Sequence, residues 1–106
     1  MLLSIVPTMA LALDNGLGMT PPMGWSSWNV YAGGLDEAKI LATIDAVATR
    51  LKAVGYEYVN LDDNWMEPHR DAAGNLQVRK DKFPRGIKFV ADYAHASGLK
   101  LGIYSA

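Results

Sequence analysis

Apolar positions along this chain change their spacing, and each change marks an element. Ile40, Leu41, Ile44, Val47, Leu51 and Val54 recur at steps of one, three and four. That spacing puts them on one stripe of an α-helix and predicts a helix from about 37 to 54. Asp36 stands just before the stripe, where a side-chain oxygen can cap the first free N–H groups. Gly55 follows it, a residue suited to the left-handed conformation that closes a helix. The next run, Tyr56-Glu57-Tyr58-Val59-Asn60-Leu61, is aromatic and β-branched. It predicts a strand that ends at Asp62.

The same pattern repeats further on. Residues 66 to 82 are polar, with Pro68, Gly74 and alternating charges, and predict a long excursion or a hairpin. Phe83-Pro84-Arg85-Gly86 leads into a second stripe, Ile87, Val90, Ala91 and Ala94, which Gly98 ends. Leu99 to Tyr104 then reads as a third strand. Ahead of all this, residues 22 to 30 read as a short strand-like run with two tryptophans, broken at Ala32-Gly33-Gly34. The order is β-α-β-α-β. A helix between two strands carries the chain back to its starting edge, so the strands are expected to pair in parallel. In such sheets the strand C-terminal ends carry function.

Composition narrows the classes. Half of the 106 residues are hydrophobic and 20% are charged, with a net charge of −1. That is a globular balance with no basic field for nucleic acid or a membrane surface. No run of about 18 apolar residues occurs, so no membrane-spanning helix is predicted. Cysteine is absent, which removes disulfides, thiolate nucleophiles and Cys-ligated zinc. His69 and His95 are far apart in sequence and read as unrelated.

The chemistry sits at the expected strand ends. The first end carries Trp25 to Trp28, the second Asp62-Asp63, the third Tyr104. A sugar has C–H bonds on one face and hydroxyls round its rim. An indole covers the first, and a carboxylate accepts hydrogen bonds from the second. Packing is the other reading for Trp25 and Tyr104, and it is preferred for Trp28 and Trp65. A metal reading of Asp62-Asp63 is weaker, because two oxygens are too few for Ca²⁺ or Mg²⁺. The pair is also unsuited to be both catalytic groups of a glycosidase. Retaining chemistry needs carboxyls about 5 Å apart on opposite sides of the anomeric centre. Neighbours at a frayed strand end enter a pocket from one side.

Several motifs together resemble glycoside hydrolase family 27, which holds α-galactosidases and the related α-N-acetylgalactosaminidases. They are Asn15-Gly16-Leu17, Thr20-Pro21-Pro22-Met23-Gly24-Trp25, Ser27-Trp28-Asn29, Gly55-Tyr56-Glu57-Tyr58, Leu61-Asp62-Asp63 with Trp65, Phe83-Pro84-Arg85-Gly86-Ile87, and Gly98 to Ser105. The resemblance implies an α/β fold: the first three β/α units of a TIM (β/α)₈ barrel with parallel strands, here an incomplete barrel. It implies hydrolysis of terminal α-galactosyl groups with retention, an α-galactoside as partner, and no cofactor. By resemblance Trp25, Asp62, Asp63 and Tyr104 bind substrate, the aspartates through the 4- and 6-hydroxyls.

Two departures and one leader complete the expectations. Asn64 stands where the family often has cysteine, so the matching disulfide is not expected. The family's nucleophile and acid/base are expected beyond residue 106, so no catalytic residue is assigned here and the 106 residues alone are expected to be inactive. The alternative is a non-catalytic truncated half-barrel with at most weak sugar binding. Residues 1–12 are apolar and end Ala10-Leu11-Ala12, which resembles the later part of a signal peptide. Residues 13–106 are then the N-terminal portion of the catalytic domain, secreted or periplasmic.

Overall fold

The computed structural model describes residues 14–105. The expected leader, residues 1–12, lies outside the described residues. Three strands, β1 (Gly24–Ser26), β2 (Tyr58–Leu61) and β3 (Lys100–Ile103), pair in parallel in the order β1-β2-β3. The helices are α1 (Trp28–Tyr31), α2 (Glu37–Arg50) and α3 (Gly86–Ala96). The α/β reading and the parallel pairing hold.

Helix α2 begins as the sequence implies. The Asp36 carboxylate accepts the Lys39 N–H at 2.9 Å, and Glu37 lies in the first turn, where the helix dipole favours it. Its end comes earlier than the stripe implies. The α-helix stops at Arg50, and one tighter turn, Lys52–Val54, runs to Gly55 at φ 100. Leu51 still packs on the core, whereas Val54 is exposed. The last apolar position therefore belongs to the turn and not to the buried face.

The first strand is also shorter than the apolar run around it. After Ser26 the chain turns, and the Ser27 carbonyl accepts the N–H groups of Val30 and Tyr31, which start α1. Residues 66 to 82 make a hairpin. Met66 and Val78 form an antiparallel bridge, Glu67 N–H donates to Gln77 O at 2.7 Å, and Arg79 N–H donates to Trp65 O at 3.0 Å. Asp71 closes the turn by accepting from the N–H groups of Ala73 and Asn75.

The core lies between the sheet and the two long helices. Ile40, Ile44 and Val47 of α2 meet Val90 and Ala94 of α3 over Val59 and Leu61 of β2, with Leu35, Phe83 and Leu99 closing the ends. Removing this apolar surface from water is the main stabilising term. Polar ties fix the helices to each other. The Tyr93 hydroxyl donates to Asp45 at 2.8 Å. The buried Glu37 carboxylate accepts from Arg85 Nε at 2.6 Å and from the Arg85 N–H at 3.1 Å, so its charge is not left unpaired.

Register fixes which residues share a face. Trp25, Val59 and Leu101 form one row, and Ser26, Asn60 and Gly102 the next. The first row faces the helices, because Val59 is fully buried in the core. The second faces the opposite side, where Asn60 Nδ2 donates to Ser26 Oγ at 3.3 Å. That side is crowded enough to need glycine. A Cβ on Gly24 would lie 2.7 Å from Tyr58 Cβ, and one on Gly102 would overlap the Asn60 amide.

Candidate functional site

The three strand ends are tied into one rim. Ser27 is completely buried, and its Oγ accepts the Asp62 N–H at 2.9 Å, while its own N–H donates to Asn60 O at 3.2 Å. These bonds pin the end of β1 to the end of β2. The Tyr104 N–H donates to Leu61 O at 2.9 Å, and Trp65 Nε1 donates to Tyr104 O at 2.7 Å. They pin the end of β3 to the same place. Trp65 is buried, so it serves packing and this bond.

Asp62 and Tyr104 each lie one residue beyond the Leu61–Ile103 pair. Strand alternation puts them on the face of Asn60 and Gly102, away from the helices. Asp63 follows in a turn. Asp62 Oδ1 accepts the Asp63 N–H at 3.0 Å, and Asp63 Oδ1 accepts the Asn64 N–H at 2.6 Å. Asn64 takes φ 72, a conformation asparagine tolerates better than most residues. Gly33 leaves room beside it, since a Cβ there would stand 3.0 Å from Asn64 Nδ2. Each aspartate thus uses one oxygen to shape its own turn. The other oxygen of each has no donor among the described residues, and neither carboxylate is in an ion pair among them.

Trp28, Asp62, Asp63 and Tyr104 line one open cavity of about 240 Å³. Trp28 leaves 44% of its surface exposed and Tyr104 42%, so both rings present area to a ligand. The structure therefore brings together three of the four expected residues and adds a fourth. Trp25 stays outside. It sits on the helix side of the sheet, edge-to-face with Tyr31 at 5.9 Å, beside Ala42, Ala46 and Val47 of α2. Trp28, expected to pack, is the indole at the cavity. A sequence signal for this exchange exists. Gly24 and Ser26 are the small residues that the crowded inner face requires, so Trp25 between them must face outward.

Two acceptor-only oxygens beside two aromatic surfaces suit a neutral, hydroxylated ring. A carboxylate oxygen can accept a hydrogen bond from a hydroxyl, and an aromatic ring can cover a C–H face. Both carboxylates reach the cavity from one strand end, so they do not flank a bond from two sides. Among the described residues no three His, Asp or Glu side chains gather as a metal site.

A family model described as alpha galactosidase A matches residues 20–106. The chain is 57% identical to the alpha-galactosidase of Coffea arabica over 94 residues, 88% of this chain and 25% of that protein. It is 53% identical to alpha-galactosidase A of Cellvibrio japonicus (strain Ueda107), over 84% of this chain and 22% of that protein. The solved alpha-galactosidase I of Mortierella vinacea matches with a TM-score of 0.83 at 47% identity, over 88% of this chain and 24% of that one. The alpha-galactosidase of Saccharomyces cerevisiae, solved with raffinose, matches with a TM-score of 0.80 at 43% identity, over 86% of this chain and 20% of that one. The chain thus spans about a quarter of the length of these relatives or less.

Proposed function

The chain belongs to the alpha galactosidase A family, glycoside hydrolase family 27, and from that premise we propose that it supplies the sugar-gripping part of a site for terminal α-galactosyl groups. Its three β/α units belong to the TIM-barrel fold of that family. The observation that supports the reading is the cavity of Trp28, Asp62, Asp63 and Tyr104, with one oxygen of each aspartate free to accept a hydroxyl. The roles follow from the chemistry. Asp62 and Asp63 hold adjacent hydroxyls, and Trp28 and Tyr104 cover the ring. In this reading the reaction is hydrolysis with retention, and the two catalytic carboxylates come from residues other than these. A polypeptide of the 106 residues alone therefore binds galactosides at most weakly and does not turn them over.

Calorimetric titration of the native protein with a methyl α-galactoside tests the grip. Asp63→Asn removes charge-assisted hydrogen bonding and should weaken binding about 10- to 150-fold. Unchanged affinity would show that Asp63 does not touch the sugar. Nitrophenol released from a nitrophenyl α-galactoside by the 106-residue polypeptide would overturn the division of labour. We propose export as well, on the Ala10-Leu11-Ala12 ending of the apolar N-terminal stretch. Secreted protein whose N-terminal sequence starts at Met1 would exclude cleavage after Ala12.

A further inference from the structure

The two flanks of β2 end differently. Toward β3 the parallel ladder closes on backbone alone, with the Tyr104 N–H on Leu61 O at 2.9 Å. Toward β1 it does not. The bonds from Tyr58 N–H to Met23 O and from Ser27 N–H to Asn60 O set the alternation. The next acceptor in that ladder is Ser27 O, opposite the Asp62 N–H. That carbonyl is already taken. It accepts the N–H groups of Val30 at 3.3 Å and Tyr31 at 2.9 Å, where the chain turns out of the sheet, and so both its lone pairs are used. The Asp62 N–H goes to Ser27 Oγ, at 2.9 Å. A side-chain oxygen thus replaces a backbone one at the point where β1 stops.

We infer that Ser27 is the positioning residue of the sugar grip. Its carbonyl closes the turn that brings Trp28 to the cavity, and its hydroxyl holds the backbone of Asp62, which presents the carboxylates. The inference rests on the proposed function and adds to it the residue that sets the distance between the ring cover and the hydroxyl acceptors. Three features carry it. Ser27 supports the cavity without lining it, and it is completely buried, so no water stands ready to replace its oxygen. The turn and the ladder compete for one carbonyl. Without the hydroxyl, the Asp62 N–H loses its acceptor or the turn that delivers Trp28 opens. The two aspartates are also linked in series. Asp62 Oδ1 accepts the Asp63 N–H, and Asp63 Oδ1 accepts the Asn64 N–H, so a shift of Asp62 passes on to Asp63.

The test joins three measurements on the native protein and its Ser27 variants: calorimetric titration with methyl α-galactoside, thermal unfolding without sugar, and amide hydrogen exchange. Ser27→Ala should bind the sugar about 3- to 10-fold more weakly, and its Asp62 amide should exchange faster than in the unaltered protein. Ser27→Cys, close to serine in size but a weaker acceptor, should fall between the two in both respects. A role confined to stability would lower the transition temperature and leave the affinity of the folded protein unchanged, and that result overturns the inference. Weaker binding with no change in Asp62 exchange overturns it too, because Ser27 would then act by another route. Should Ser27→Ala fail to fold, Ser27→Cys decides, and an affinity equal to that of the unaltered protein refutes the role. No binding by the unaltered protein overturns the galactoside reading and this inference with it.

Discussion

At the scale of single residues, the exchange between Trp25 and Trp28 carries the most information. The two indoles are three positions apart, and the turn at Ser27 sends them to opposite sides of the sheet. Their variants should separate accordingly. Trp28→Ala should weaken galactoside binding and leave thermal stability nearly intact, because the ring is half exposed. Trp25→Ala should cost about 1–2 kcal/mol of stability through lost burial and leave the affinity of the folded protein unchanged. Denaturant unfolding and sugar titration of both variants check this. That Asp62, Asp63 and Tyr104 share one rim is legible in the sequence because each stands at the end of a well-patterned strand. The family motif gives two tryptophans, and the register with Val59 sets Trp25 on the helix side of the sheet. Adjacency also matters for the aspartates. One peptide unit sets their separation at about 3.8 Å between Cα atoms, so the spacing of the grip does not depend on how distant elements pack.

At the scale of elements, the sequence read best where burial imposes a period. The stripes of α2 and α3 and the strand around Val59 appear where expected. Boundaries were less legible. The Lys52–Val54 turn carries an apolar residue at the right spacing but lacks a partner for it, and Ser27 ends β1 through hydrogen bonds that no periodicity encodes. The cap of α2 gives a pH-dependent prediction. The Lys39 side chain, then its N–H, hold the Asp36 carboxyl below its ordinary value. A depressed carboxyl stabilises the fold above its unfolded value near pH 4, and that contribution is lost as pH falls through the lower folded value. Hydrogen exchange of the first-turn amides of α2 should therefore rise as pH drops below about 4, after correction for the intrinsic rate. Asp36→Ala should show the same exposure at neutral pH, cost about 1 kcal/mol, and remove the acid dependence. Equal protection in the variant would show that the cap contributes nothing.

At the scale of the molecule, the sheet has two outer strands, β1 and β3, with no further strand beside either among the described residues. Each presents a row of unpaired N–H and C=O groups, which invites pairing with another chain. The outward apolar area beside β1, with Val30 62% exposed, adds to this. A polypeptide of the 106 residues produced alone should therefore self-associate, and size-exclusion chromatography over a concentration series checks it. A single monomeric peak with a sharp unfolding transition would refute it. One feature of the rim reaches further. The cavity takes Trp28 from the connection after β1, Asp62 and Asp63 from the end of β2, and Tyr104 from the end of β3. A bound galactoside would bridge three segments that an unfolded chain scatters, so ligand occupancy and sheet assembly become one linked equilibrium. Saturating sugar at 100 times its dissociation constant should then stabilise the native protein by about 2.7 kcal/mol. The transition temperature would report occupancy even where no reaction occurs.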